Sequence, residues 1–337
     1  MKVIVCGYYG KQNAGDDLLQ HSISSLFSKH RTLFTSWLPS VETMNSADLI
    51  VIGGGSIWPG NAFFELSDQL SRVVRTPIMV IGISAKKQNP EILAQTRRLI
   101  DRSIYFHVRD KKTASYFACP TKVRCGPDLF WWTPFGPVNI SNPNKYSKIA
   151  INLRQWDEEQ WSPGAIIEVL RSTGREVEGW PLHFGAPESA DSMHNDATFL
   201  AASGTPPLSS SFSLGSVLQA RFVVAMRFHA IQVAVRLERP VIGYSYHPKT
   251  TAFFVDNGIP ELCVSLSDPA QLSQAIKILE GNFYEYQRKF LMIKNRLLAD
   301  AASLRNEVTE VINSISPKSP VSDSSFRRFA KSIFKRI

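Results

Sequence analysis

Leu49-Ile-Val-Ile-Gly-Gly-Gly-Ser56 places four consecutive apolar residues directly before three glycines. An apolar run this short, closed by a glycine turn, reads as a strand buried on both faces. The same grammar recurs on either side of it. Val3-Ile-Val-Cys6 precedes Gly7 and a 3.6-period segment from about Asp16 to Phe27, in which Leu18, Leu19, Ile23, Leu26 and Phe27 share a face. Ile78-Met-Val-Ile81 runs into Gly82. Strands alternating with helices imply a parallel sheet with right-handed crossovers. After residues 134–147, rich in proline, glycine and asparagine, a second alternating set begins with Ile149-Ala-Ile-Asn-Leu153, Arg221-Phe-Val-Val-Ala225 and Pro240-Val-Ile-Gly243. Helical patterns then fill roughly 269–281 and 283–314.

A length of 337 residues fits about two domains at ~150 residues each. The reading is α/β: two Rossmann-like domains, 1–133 and 148–315, joined by the linker 134–147, with 316–337 as a flexible spacer and basic tail. The composition, 44% hydrophobic and 20% charged, excludes disorder and collagen-like classes. Cys6, Cys119, Cys125 and Cys263 form no C-x-x-C pair, so neither a zinc site nor a disulfide framework is signalled and a reducing cytosol fits. The start of the chain carries no secretory signal, and no apolar run approaches the ~20 residues of a membrane span.

Ligands of open α/β sheets bind at the carboxyl ends of strands, so the candidates lie there. Gly7-Tyr-Tyr-Gly10-Lys-Gln-Asn13-Ala-Gly15-Asp16-Asp17 lacks dinucleotide spacing. Asp16 suits a helix cap, and with Asn13 it also suits hydrogen bonding to sugar hydroxyls. Gly53, Gly54, Gly55 and Ser56 suit a turn of exposed amides for a phosphate or carboxylate near a helix start. Arg227 and His229 in Ala225-Met-Arg-Phe-His-Ala230 put a cation and an imidazole at the end of a buried strand, a costly placement unless an anion or a reaction uses them. Lys249 and Arg154 follow other strands as further anion ligands or as solvated cations, and Tyr246 or His247 can line the same pocket. Val108-Arg109-Asp110 reads as a strand-end ion pair, and Phe130-Trp131-Trp132 as core.

Taken in order, Gly7-Tyr-Tyr-Gly10 with Asn13 to Asp17, Gly53 to Ser56, Val108-Arg109-Asp110, Pro127-Asp128, Arg227-Phe-His229 and Pro240 with Tyr246-His-Pro-Lys249 resemble the polysaccharide pyruvyl transferase family across residues 1–262. The resemblance implies two domains in a GT-B-like arrangement around an interdomain cleft, and transfer of pyruvate from phosphoenolpyruvate to a sugar as a ketal. It implies His229 as acid/base and Arg227, Arg154 and Lys249, with Gly54, Gly55 and Ser56, as phosphoenolpyruvate ligands. Asn13, Asp16, Asp17 and Tyr246 fall to the acceptor. No metal and no cofactor is expected beyond phosphoenolpyruvate as co-substrate. Ile57-Trp-Pro-Gly60 and Ile81-Gly-Ile-Ser-Ala85 depart from the family pattern, and both fall on the acceptor side. Other readings of the same architecture are a nucleotide-sugar glycosyltransferase and a non-catalytic saccharide-binding protein docked at a membrane.

The formal charge is +9, and Lys318, Arg327, Arg328, Lys331, Lys335 and Arg336 against Asp323 supply five of it. From Phe326 to Ile337, Phe326, Phe329, Ala330, Ile333, Phe334 and Ile337 fall on one helical side, with the cations opposite. A tethered basic amphipathic helix reads as an anchor on an anionic membrane surface rather than as a nucleic-acid arm. The expectation is a cytoplasmic protein, peripheral on the inner face of the cytoplasmic membrane, with docking onto its own surface as the other use of the tail.

Overall fold

The computed structural model of the chain describes all residues except 37–38, 59–69, 71–73, 86–89, 136–144, 157–161, 186–194, 206, 208, 210, 319–325 and 331–337. Most of the linker 134–147, the departure at Pro59-Gly60, and the end of the tail lie outside the described residues. The chain divides into two compact units. One comprises Met1–Lys11, Asp16–Pro134 and Leu297–Ile337, and the other Gln12–Gly15 and Phe135–Arg296.

The first unit is a six-stranded sheet of β1 (Lys2–Cys6), β2 (Arg31–Thr35), β3 (Leu49–Trp58), β4 (Ile78–Ala85), β5 (Tyr105–Val108) and β6 (Val123–Cys125). The order is β2-β1-β3-β4-β5-β6 and every pair is parallel. Every residue of β1 and β5 is buried, as a sheet covered on both faces requires. The strand order reverses between β1 and β3, which is where an open sheet of this kind offers its crevice.

The triple glycine is not the turn expected from the sequence. β3 continues through it, and Gly53 pairs with Ile81 and Gly55 with Ile83 before the register shifts ahead of Trp58. Gly54 and Gly55 hold φ of 77° and 92°, so the strand passes through backbone geometry that a side chain would strain. The reason is the partner: β4 runs equally far, to Ala85, and offers the ladder that keeps β3 extended.

The second unit is a five-stranded sheet of β7 (Lys148–Asn152), β8 (Val177–Gly179), β9 (Ala220–Ala225), β10 (Val241–Tyr244) and β11 (Cys263–Val264), ordered β11-β10-β9-β7-β8 and all parallel. Its order reverses between β7 and β9. The helices Phe228–Arg236 and Pro248–Asp256 leave the ends of β9 and β10. Both units are therefore Rossmann-like α/β sheets.

The helix Phe283–Asn313 gives its residues up to Arg296 to the second unit and those from Leu297 to the first. Residues 297–315, counted with the second domain in the sequence reading, thus belong to the first unit. Its core explains the tail as well. Lys318 is fixed rather than part of a loose spacer: its amide donates to Asp48 Oδ1 (2.8 Å), and its Nζ donates to the carbonyls of Asn45 (2.8 Å) and Ala47 (2.6 Å) and to Thr76 Oγ1 (2.8 Å). Burial pulls the Lys318 ammonium below the usual lysine range. Phe326 and Phe329, expected to face a bilayer, are 1% and 9% exposed and join Ile4, Ile50 and Ile78 in the core of the first unit. Arg31 stacks over the Phe326 ring at 5.5 Å, while Arg327 and Arg328 stay exposed. An amphipathic pattern fixes which side needs an apolar cover and leaves the cover open; here the protein's own core supplies it for the first turn. Among the described residues no helix is long and apolar enough to cross a membrane.

Candidate active site

In the second unit the site residues gather where the sheet order reverses. Asn152, the last residue of β7, is in register with Ala225, the last of β9. Asn152 Oδ1 accepts the amide of Arg227 (3.0 Å), and its Nδ2 donates to the Trp180 carbonyl (2.9 Å). Arg227 thereby leaves β9 in a fixed direction as the N-cap residue of the helix Phe228–Arg236. Its side chain meets Asp196 in two parallel hydrogen bonds, Nε to Oδ2 at 2.5 Å and NH2 to Oδ1 at 2.6 Å. Asp196 is completely buried, and its Oδ2 also accepts the amides of Leu182 (3.1 Å) and His183 (3.2 Å).

Arg154, just beyond β7, is the second cation. Burial and the charge of Arg227 pull its guanidinium below the usual arginine range, while Tyr246, to which it is hydrogen bonded, and Asp196 pull the other way. Its guanidinium carbon lies 5.4 Å from the ring centroid of Trp156, and Tyr246 stands edge-on to the same ring at 5.1 Å. The two guanidiniums thus lie close enough to repel each other, and the Asp196 carboxylate offsets part of that charge.

His229 sits in the first turn of the helix Phe228–Arg236, at the positive end of the helix dipole. Gly15 packs against its imidazole so closely that a Cβ there would lie 2.8 Å from His229 Cγ and 3.1 Å from its Cβ, and nearer still to Nδ1. The segment Gln12–Gly15 is held in place by its backbone: Ala14 donates to the Leu182 carbonyl (2.8 Å) and Phe184 donates to that of Gln12 (3.0 Å). Asn13 Oδ1 accepts the Gly15 amide (3.1 Å), so Asn13, rather than Asp16, caps the helix Ala14–Leu26. On the neighbouring helix, His247 caps Pro248–Asp256 by accepting the Lys249 amide (3.3 Å), and Lys249 Nζ lies 5.5 Å from the Phe228 ring centroid.

Gly54, Gly55, Asp16 and Asp17 belong to the first unit, as does Ser56, whose side chain lies outside the described residues. There Tyr9 donates its hydroxyl to the Gly53 carbonyl at 2.6 Å. Burial, then the charge of Asp16, holds the phenol well above its ordinary range, so it stays a neutral donor. Asp16 and Asp17 lie in the first turn of their helix, where its dipole favours carboxylates. Arg109 does not pair with Asp110. It binds Asp128 at 2.5 Å with both side chains 2% exposed and also donates to Ser84 Oγ, while Asp110 caps the helix Lys111–Phe117. Phe130, Trp131 and Trp132 are buried in the first unit.

A family model described as polysaccharide pyruvyl transferase matches residues 3–248. The chain belongs to that family. Membership makes it a transferase of the polysaccharide-modifying kind. No curated protein matches the chain. Among solved structures it is similar to S. aureus MnaA in a co-structure with UDP, at 10% identity and a TM-score of 0.59, covering 94% of this chain and 98% of that one. It is also similar to Anabaena Alr3699/HepE in complex with UDP and glucose (11% identity, TM-score 0.57, 93% and 100% covered). A third is UDP-GlcNAc 2-epimerase from Neisseria meningitidis bound to UDP-GlcNAc (11%, 0.56, 93% and 99%). At these identities the likeness is one of fold.

In this pyruvyl transferase family member, sequence reading missed Asn152 and Asp196. Asn152 was signalled by its place as the single polar residue in the run Ile149–Leu153. Asp196 carried only the signature of a helix start, Asn195-Asp196, and its partner Arg227 is 31 residues away. Among the described residues no group of three or more His, Cys, Asp or Glu is placed to hold a metal ion.

Proposed function

We propose that the protein transfers pyruvate from phosphoenolpyruvate to two hydroxyls of a sugar in a polysaccharide or lipid-linked saccharide precursor, forming a ketal and releasing phosphate. What supports the reading, beyond family membership, is the convergence of Arg154 and Arg227 beside a helix whose first turn carries His229. Phosphoenolpyruvate brings a phosphate and a carboxylate, and guanidinium pairs suit both. Lys249 adds a third cation. In the reaction the methylene carbon takes a proton and becomes a methyl group, and C2 accepts one sugar oxygen. The C2–O bond to phosphorus then breaks, and the second sugar oxygen closes the ketal. The two hydroxyls give up two protons, one balancing the methyl group and one leaving with phosphate. His229 is the acid/base group for these transfers, a role that contributes ~10²–10⁴-fold. Asp16, Asp17, Asn13 and Tyr246 are the acceptor-side residues.

The test is phosphate release from phosphoenolpyruvate with saccharide acceptors, followed by ³¹P NMR, for wild type and His229→Ala. Loss of turnover in a variant that melts like wild type is the expected result, and wild-type turnover in it removes His229 from the chemistry. Thermal shift separates the nucleotide-sugar alternative: stabilisation by nucleotide sugars alone, and none by phosphoenolpyruvate, favours glycosyl transfer.

The protein is further proposed to adsorb to anionic membrane from the cytoplasmic side. With Phe326 and Phe329 committed to the core, the exposed Arg327, and Arg328 beside Glu42 (3.4 Å), supply charge, at up to about 1 kcal/mol each near the surface. Flotation on anionic vesicles that persists in high salt would contradict adsorption by charge.

A further inference from the structure

Asp196 takes no part in the reaction as proposed, yet it is heavily bonded beside Arg227. Both carboxylate oxygens receive the guanidinium, at 2.5 and 2.6 Å. The amides of Leu182 and His183 hold Oδ2 from the other side, and Asn152 Nδ2 approaches it at 3.5 Å. This has two effects. Pinning Nε and NH2 together fixes the plane of the guanidinium, which a long arginine stem would otherwise leave free to rotate. The buried negative charge also offsets one of the two positive charges that repel each other, Arg227 and Arg154, and raises Arg154 against that repulsion.

We infer that Asp196 is the positioning residue of the anion site: it sets the orientation of Arg227 for phosphoenolpyruvate and lowers the net charge around it, so that the released phosphate is not held too tightly. The inference rests on the pyruvyl-transfer reading for its substrate. Asp196 touches Arg227, two backbone amides and Asn152 Nδ2, and acts through the arginine. A carboxylate retained only to stabilise the fold would affect melting and leave the anion chemistry of the folded protein unchanged.

The experiment uses the full chain carrying Asp196→Asn, which keeps the shape and an acceptor for the amides and removes the charge. Inorganic phosphate binding is measured by calorimetry, turnover by phosphate release from phosphoenolpyruvate, and the Arg227 Nε–H signal by ¹⁵N NMR. In the folded variant the expected result is a split. Phosphate binds at least threefold tighter, kcat falls at least tenfold, and the Nε–H signal loses its protection from exchange. Asp196→Glu keeps the charge and shifts the carboxylate by one methylene. It is expected to bind phosphate like wild type with a reduced kcat, and it decides the matter if the asparagine variant does not fold. Unchanged phosphate affinity in Asp196→Asn, or unchanged kcat in either folded variant, overturns the inference. If the wild type releases no phosphate from phosphoenolpyruvate, the reaction reading fails instead, and the calorimetry and the Nε–H signal alone decide the role of Asp196. A wild type that binds no phosphate overturns it.

Discussion

Replacing Gly15 with alanine tests whether the backbone of the Gln12–Gly15 segment sets the position of His229. An added Cβ would stand 2.8 Å from His229 Cγ, whereas carbon atoms rest at about 3.5 Å or more, so the ring or the segment has to retreat by at least about 0.7 Å. Gly15 does not hold a positive φ and lies in a helix, where alanine is favoured over glycine, so any loss comes from crowding. Overpacking of this kind costs roughly 1–3 kcal/mol of stability. A catalytic group displaced by about 1 Å costs on the order of 10²-fold in rate, or ~2.7 kcal/mol in the barrier. The assay is phosphate release from phosphoenolpyruvate at saturating acceptor, paired with chemical denaturation. Gly164→Ala is the control, because nothing lies within 4 Å of a Cβ there and it is expected to leave kcat unchanged. Wild-type kcat in Gly15→Ala, with unchanged stability, would refute the argument that this glycine is required by the imidazole.

Three further outcomes follow from the first unit. His107 is fully buried, accepts the Gly82 amide at Nδ1 (3.1 Å) and stacks on Trp132; burial holds its pKa down at about 4 against 6.5 for a free imidazole. Between those values the unfolded chain binds a proton that the folded chain refuses. Stability is therefore retained above pH 6.5 and falls by about 3 kcal/mol as pH drops to 4, a slope that His107→Gln should flatten in urea melts across this range. Phe326→Ala, which empties a core position, is expected to lower unfolding free energy by about 3–5 kcal/mol in urea titration; a change under about 0.5 kcal/mol would mean the tail does not occupy the core. Asp128→Asn leaves Arg109 buried without its counter-charge and should cost about 3–5 kcal/mol by the same measurement.

Much of the fold was legible because buried parallel strands write themselves as apolar runs. Residues 3–6, 49–52 and 149–153 each announce a strand whose two faces are both covered, and the long helical pattern ending near 314 matches Phe283–Asn313. The signal failed where the partner decides. Gly53–Gly55 looks like a turn in isolation and is a strand because β4 runs alongside it. Arg109 looks paired with its neighbour Asp110, yet the carboxylate that meets it comes from position 128. At the candidate site, Arg227 and His229 were visible as polar residues at the end of an apolar run. What those side chains touch was not visible, since Asp196 and Gly15 reach them from distant segments. The tail shows the same limit: Phe326 and Phe329 mark a side to be covered, and a bilayer and a protein core make the same demand of a sequence.

The division of the chain has a consequence for its birth on the ribosome. Residues 135–296 form most of the second unit and are complete while the first still lacks Leu297–Ile337, which carries Phe326 and Phe329. At about 5–20 residues per second, the 41 residues from Leu297 to Ile337 take roughly 2–8 s to follow. The half of the protein encoded first is thus the half that finishes last. For those seconds its apolar sheet waits with a gap that Phe326 and Phe329 fill.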